Sequence, residues 1–248
     1  MSYRFKTVLV SAAALTFATL GATGLTTSQA QAGLDGNPFE GLYLGLHANY
    51  SKVTSKNTYV DLEPDAAANN FITGIGDGAK GTGYGGTLYG GIGTNFWGPM
   101  YVSIEGALGL PGGSSTAIVN TVIPEHIVDD EIVPAVFGTR DLTIKTGFAF
   151  DINTRLGLTV SDNILIYGLG GYTSTKFKMS DAGGDFSKGA GGYRYGAGFE
   201  IGIMEDIALR IEYVRTAHSK INWRRGADDL FFDPSTEAIR IGVILHMD

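Results

Sequence analysis

Residues 192–216, GYRYGAGFEIGIMEDIALRIEYVRT, alternate between two unlike rows with a period of two. Tyr193, Tyr195, Ala197, Phe199, Ile201 and Ile203 make a row that is wholly apolar or aromatic. The intervening row is Arg194, Gly196, Gly198, Glu200 and Gly202, small or charged throughout. Successive side chains of a β-strand point to opposite faces, so this period marks a strand with two different surroundings. Met204, Glu205, Asp206 and Ile207 interrupt the pattern as a short turn, after which it resumes. Leu209, Ile211 and Tyr213 then fall on one side, with Ala208, Arg210 and Glu212 on the other. An antiparallel sheet with one wet face carries varied polar residues on that face. Glycine with isolated charges of both signs suits a narrow enclosed lumen, and an apolar row then suits lipid. A soluble sandwich or lipocalin-like barrel is the competing reading of the same alternation.

The connections choose between them. Alternation also runs through residues 40–51, 81–95, 100–110, 142–159, 164–179 and 236–247, which brings the expected strands to eight. Short turns (96–99, 161–163 and 204–207) alternate with long connections at 52–80, 111–138, 180–191 and 217–235. That rhythm predicts an all-β fold, an eight-stranded antiparallel up-and-down transmembrane β-barrel. An even strand count places both termini at the short-turn end, which is periplasmic in an outer membrane.

Residues 1–32 read as an address. Arg4 and Lys6 form a basic start, residues 8–25 are uncharged and largely apolar, and Ala30 and Ala32 offer a small-residue cleavage site. We expect a signal peptide cleaved after Ala32 and an outer-membrane β-barrel domain over 33–248, the alternative being an uncleaved anchor. The leader holds two of the 18 basic residues and none of the 25 acids, so cleavage takes the net charge from −7 to −9. Such a balance argues against nucleic acid as a partner, because nothing would offset its phosphates. The chain has no cysteine, which excludes disulfides and thiolate metal sites.

Gly192, Tyr193, Gly196, Gly198, Glu200 and the run Arg210-Ile211-Glu212-Tyr213 together form a glycine-aromatic strand, a turn and an R-x-E-Y strand. In this the chain resembles the small outer-membrane β-barrels of Gram-negative bacteria, the OmpA-like and opacity-protein porin group. Tyr43-Leu44-Gly45, Arg155-Leu156-Gly157 and Tyr167 before Gly170-Gly171 are similar to the same family. The resemblance implies outer-membrane lipid and lipopolysaccharide as surroundings. It also implies recognition of the last strand by the outer-membrane insertion machinery. Gly242, Leu245 and Met247 have the spacing of that signal, although the chain ends on Asp248 where the family ends on an aromatic.

Strand direction places Tyr50, Tyr84, Phe148, Tyr193 and Tyr195 near the outer rim, and Phe39, Phe96, Trp97 and Tyr167 near the periplasmic one, as two aromatic girdles. On the lumen row stand Glu105, Asp151, Glu200 and Glu212 against Lys145, Arg155, Arg194, Arg210 and Arg240, joined by His47 and His246. Eight strands leave room inside for side chains and little else. Charges there must pair, since an unpaired buried charge costs several kcal/mol. The favoured reading is a salt-bridged plug in a structural, surface-exposed barrel, and the alternative is a low-conductance porin for ions or small solutes.

No enzyme, cofactor or metal site is expected. Some small outer-membrane barrels are deacylases that pair a His with a Ser near the outer rim, and His218-Ser219 is the match to weigh here. Adjacent strand residues face opposite ways, so these two do not meet. Glu125, His126, Asp129, Asp130 and Glu131 lack the glycine turn of a calcium loop. The connection 111–138 is unusually apolar, with Ile118, Val119, Val122, Ile123, Ile127, Val128, Ile132 and Val133. It can extend the barrel as a hairpin and pack on itself, or present a surface to a protein partner as surface antigens do.

Overall fold

The computed structural model describes residues 39–61, 79–123, 126–128, 131–134, 136–181, 184–225 and 228–247. All of them belong to the compact unit 32–248. The expected leader, Asp248, and Glu125, Asp129 and Asp130 of the acidic patch lie outside the described residues.

Twelve strands occur in chain order: β1 (Gly41–Asp61), β2 (Ala79–Trp97), β3 (Met100–Leu110), β4 (Ser114–Ile123), β5 (His126–Val128), β6 (Glu131–Val133), β7 (Val136–Ser161), β8 (Ile164–Asp181), β9 (Gly184–Gly202), β10 (Ile207–His218), β11 (Ile221–Arg225) and β12 (Asp228–Met247). Eight of them close a ring in the order β1-β12-β10-β9-β8-β7-β3-β2, sealed by pairing of β1 with β2. Every pairing in the ring is antiparallel. The closing seam runs from Gly41 opposite Gly93 to Ser55 opposite Ala79, so no strand edge is left open along it.

Two staves of the ring are broken and continued. β3 stops at Pro111, Gly112 and Gly113, and β4 resumes against β7 from Ser114 opposite Lys145 to Ile123 opposite Val136. Gly112 and Gly113 take φ of 76° and 111°, a left-handed backbone that glycine alone enters without cost. β10 is continued in the same way by β11, which pairs with β12. The apolar connection after β3 is therefore a hairpin extension of the barrel, tipped by the small β5–β6 pair.

Strands of 18 to 26 residues, such as β7 and β8, exceed the 9–11 residues a tilted strand needs to cross a bilayer. The outward row shows where the crossing lies. Leu42, Leu44, Leu46 and Tyr50 on β1, and Phe148, Phe150, Ile152, Leu156, Leu158 and Val160 on β7, are all exposed. Tyr50 and Tyr84 stand side by side on that face with ring centroids 5.2 Å apart, and Tyr172 and Tyr193 do so at 5.8 Å. Beyond these rings the outward residues become Lys52, Lys176, Lys178 and Arg215, all exposed. Inside that far end lies an apolar cluster of Leu142, Ile144, Phe177, Met179, Ala190, Ile221 and Phe232. The barrel is thus inside-out where it meets lipid and conventionally packed where it projects past it.

Candidate functional site: the charged lumen

β10 carries Arg210 and Glu212 inward at alternate positions, and β9 carries Glu200 and Arg194. Cross-strand register sets Arg210 directly opposite Glu200. Arg210 Nε and Nη2 lie 2.8 and 2.7 Å from Glu200 Oε1, while its Nη1 donates to Glu105 Oε2 at 2.7 Å. Arg155 from β7 completes the tier, with Nη1 3.0 Å from Glu200 Oε1, an ion pair to Glu105, and Nε 3.9 Å from Glu212 Oε1. Arg155, Glu200 and Arg210 have no solvent exposure at all. Such charges are tolerated because each guanidinium meets more than one carboxylate.

A second tier lies toward the long-loop end. Arg194 pairs with Asp151, which also accepts a hydrogen bond from the Thr173 hydroxyl. Arg240 bridges the tiers, 3.8 Å from Asp151 and 4.0 Å from Glu212. Four carboxylates and four guanidiniums thus balance within the lumen. His47 and His246 sit at the margins of the first tier, 3.9 Å from Glu212 and 3.8 Å from Glu200.

Lys145 does not join them. Its parity with Asp151 predicts the lumen row, yet it is exposed on the outer wall. A β-bulge between Thr146 and Ala149 inserts one extra residue opposite β8 and so exchanges the two rows. Ala149, Asp151, Asn153 and Arg155 face inward on one side of the bulge, and Leu142 and Ile144 on the other.

Tyrosines that alternation alone undervalued line the same space. Tyr167 was expected in a girdle, but it is buried inside and donates its hydroxyl to Glu212 Oε1 at 2.8 Å. Phe39, expected beside it, is likewise inside, edge-on to His246. Tyr43 and Tyr89 flank Arg210, whose guanidinium carbon is 5.5 and 4.3 Å from their ring centroids, in cation–π reach. The signal was available: Tyr43 shares its parity with Gly45, His47 and Asn49. Glycine makes the room, since a methyl at Gly45 would overlap the Tyr89 ring and one at Gly91 would overlap Tyr43.

Between the second tier and the apolar cluster remains a cavity of about 20 Å³, bordered by Thr175, Thr216, His218, Arg194 and Arg240. That is space for about one water. Phe177 packs edge-on to His218 above it, ring centroids 4.9 Å apart. His218 is buried and Ser219 exposed, so the two do not form a nucleophile–base pair. Among the described residues no group of His, Asp and Glu is arranged to hold a metal ion.

The two ends of the barrel differ in charge. Lys52, Lys56, Lys80, Lys145, Lys176, Lys178, Lys188, Arg215 and Lys220 are all exposed at the long-loop end, interspersed there with the exposed acids Asp141, Asp185 and Asp233. Among the described residues, those charged at the short-turn end are Glu40, Asp162, Glu205 and Asp206, every one acidic.

The family model for the outer membrane protein beta-barrel domain matches residues 17–246. The 25 kDa outer-membrane immunogenic protein of Brucella abortus is 26% identical over 102 residues, 41% of this chain and 47% of that protein. The matched stretch therefore spans about half the length of that relative. Among solved structures, Neisserial surface protein A aligns with a TM-score of 0.47 at 10% identity, over 84% of this chain and 98% of its own. Ail, the attachment invasion locus protein of Yersinia pestis, aligns with a TM-score of 0.37 at 14% identity, over 83% and 99%.

Proposed function

This chain belongs to the outer membrane protein β-barrel domain family, and we propose that within it the protein is a non-enzymatic, closed barrel that presents its long connections at the cell surface. The charge-balanced lumen carries this reading. Arg210 and Glu105 join strands on opposite sides of the ring, and Arg155 and Glu200 brace the same level. An ion passing through would have to break several of these pairs and then cross the apolar cluster beyond the second tier. Permeation needs sites that bind weakly enough to release, and a buried, charge-balanced network of ion pairs across the lumen disfavours them.

The confinement of the exposed basic residues to one end supports the orientation. Basic residues at the long-loop end suit the phosphate-bearing outer surface, which leaves both termini periplasmic and the last strand available to the insertion machinery. The β4–β7 hairpin and its β5–β6 tip are then the segments best placed to meet a protein partner. The leader 1–32 supplies export, with the mature chain starting at Gly33.

Planar-bilayer recording of the purified barrel tests the closed lumen. The expected record is silent at neutral pH, and openings should appear in Glu105→Ala or Arg210→Ala. Steady small channels in the unaltered protein, shifted by the same changes, would establish the porin reading instead. N-terminal sequencing of the mature protein checks the start at Gly33, and labelling of Lys145→Cys on intact cells checks the orientation.

A further inference from the structure

The bulge that turns Lys145 outward sets it directly opposite Lys178 in the β7–β8 ladder, with Ser114 and Ser187 as the outer neighbours of that row. Lys176 lies two residues along β8 on the same face. Directly opposed side chains sit about 5 Å apart at Cβ, and residues two apart on one strand about 7 Å. Like charges placed this way destabilise a sheet unless an anion lies among them. Asp185 neutralises one, with Oδ2 2.7 Å from Lys178 Nζ, and Asp141 is the other carboxylate on this face. Three ammonium groups crowd a patch where, among the described residues, Lys178 alone is paired.

Directly below the patch, on the same outer wall, Phe148, Phe150, Ile152 and Tyr172 are exposed. The wall therefore changes from apolar to basic within one or two residue rows. A ligand matching both halves is amphipathic, with hydrocarbon chains along the aromatic stripe and an anionic head at the lysines.

We propose that Lys145, Lys176 and Lys178 form a clamp for the phosphate head of a membrane lipid, with the Ser114 and Ser187 hydroxyls at its edge. A phosphate monoester carries up to two negative charges and three acceptor oxygens, which suits three ammonium donors. Asp185 lies on β9, across β8 from Lys145, and its pair with Lys178 leaves Lys145 and Lys176 for the phosphate. Its carboxyl is kept below the ordinary range by hydrogen bonds from Lys178 and Ser180, and by the positive charges of Lys178 and Lys145. The inference rests on the barrel spanning a bilayer with this end at a phosphate-bearing surface. It is independent of whether the lumen conducts.

Native mass spectrometry of the full mature barrel in detergent tests it, titrated with phosphatidate, with diacylglycerol of the same chains, and with inorganic phosphate. Phosphatidate should bind, and the double change Lys145→Gln and Lys178→Gln should weaken it roughly tenfold to a hundredfold, the span of one or two charge-assisted hydrogen bonds. Lys56→Gln with Lys220→Gln, the same loss of two charges elsewhere on this end, should leave binding unaltered. The double variant should also unfold no more readily in lipid-free detergent, because it removes a repulsion; a purely structural pair would not separate the two readouts. Equal phosphatidate affinity in the double variant and wild type would overturn the clamp. So would diacylglycerol binding as well as phosphatidate, or inorganic phosphate displacing the lipid at matched concentration. Because binding is read in detergent, it can fail while the closed-lumen reading stands, and the reverse.

Discussion

Arg210 on β10 donates Nη1 to Glu105 Oε2 on β3 at 2.7 Å, and four steps of the ring separate those strands in either direction. The bond spans the full width of the lumen. It fixes the cross-section of the barrel in a way that neighbour-to-neighbour ladder bonds cannot. Glu105 also meets Arg155, so one carboxylate holds two guanidiniums from different strands.

Glu105→Ala should therefore cost about 3–5 kcal/mol, because it leaves the buried lumen with four guanidiniums against three carboxylates. Replacing Glu105 and Arg210 together by Leu and Met should cost less than the sum of the single changes. Urea unfolding of the refolded barrel in lipid vesicles, run as a double-mutant cycle, checks this. Additive losses would mean that the pair holds nothing across the lumen.

The outer wall makes an opposite demand at adjacent positions. Asp151 is buried and Ile152 is half exposed, with Asn153 buried on its other side. Ile152 lies in the middle part of the exposed apolar row of β7, so Ile152→Arg should destabilise the barrel by about 2–4 kcal/mol in a bilayer. The same change in a water-soluble barrel would be close to neutral or favourable for solubility. Unfolding in vesicles that vary in acyl-chain length separates the two, since only a lipid-facing arginine becomes costlier as the bilayer thickens.

β9 and β10 could be read from sequence almost residue by residue, because no bulge interrupts them and their faces keep one character through the ring. β7 could not. Its even-numbered row is apolar from Leu142 through Leu158, with only Thr146 and Thr154 as small breaks. That row nevertheless passes from the interior to the exterior at the bulge. Two reversals coincide there: the extra residue exchanges the rows, and the barrel leaves lipid, so the preferred side of apolar groups also exchanges. They cancel in the sequence, and the alternation looks unbroken. β8 shows the uncancelled case, with exposed Ile166 and Tyr172 at even positions and buried Phe177 and Met179 at odd ones. The same reversal explains why the strands run further into the long connections than an apolar-outside pattern indicates. Tyr167 differs for a simpler reason: it lies near a strand end, where a girdle is expected, but its odd-numbered parity with Leu165 and Leu169 turns it inward.

His218 provides a pH test at the far side of the lumen, beyond the outward Arg215–Glu237 pair that marks the edge of the apolar wall. Burial pushes its pKa down to about 4, with Arg194 pushing the same way against Asp151 and a hydrogen bond that His218 donates to the Ala190 backbone carbonyl. An unfolded histidine titrates near 6.5. Between these values the unfolded chain binds the extra proton and the folded one resists it, so folding weakens as pH falls. The contribution is intact above about pH 6.5, and about 3 kcal/mol is lost by the time pH reaches the folded value. Hydrogen exchange at the amides around Phe177 and Ala190 should speed up from pH 7 to pH 4.5, after correction for intrinsic rates. His218→Leu should flatten that dependence. An unchanged slope in the variant would show that some other group governs it.

The absence of native cysteine makes the bulge directly testable by single-cysteine labelling. Lys145→Cys should react rapidly with a charged maleimide, and Ile144→Cys should stay protected until the barrel unfolds. Strict alternation from Asp151 demands the reverse. Deleting Gly147 sharpens the test. The deletion removes the extra residue, so one position would then face Lys176 between the Thr146–Phe177 and Ala149–Thr175 pairs. Both halves of β7 would keep their present faces, and the labelling pattern should persist in a barrel that still folds. The bulge would be a local adjustment toward β3 and β4, where Thr146 donates its backbone N–H to the Gly113 carbonyl at 3.0 Å. Loss of that bond should cost about 1 kcal/mol and show as faster exchange along β4. If the deletion instead exposes Ile144→Cys and protects Lys145→Cys, β7 slides past β8 to keep its count, and the packing of Leu142 and Ile144 is too weak to pin the register.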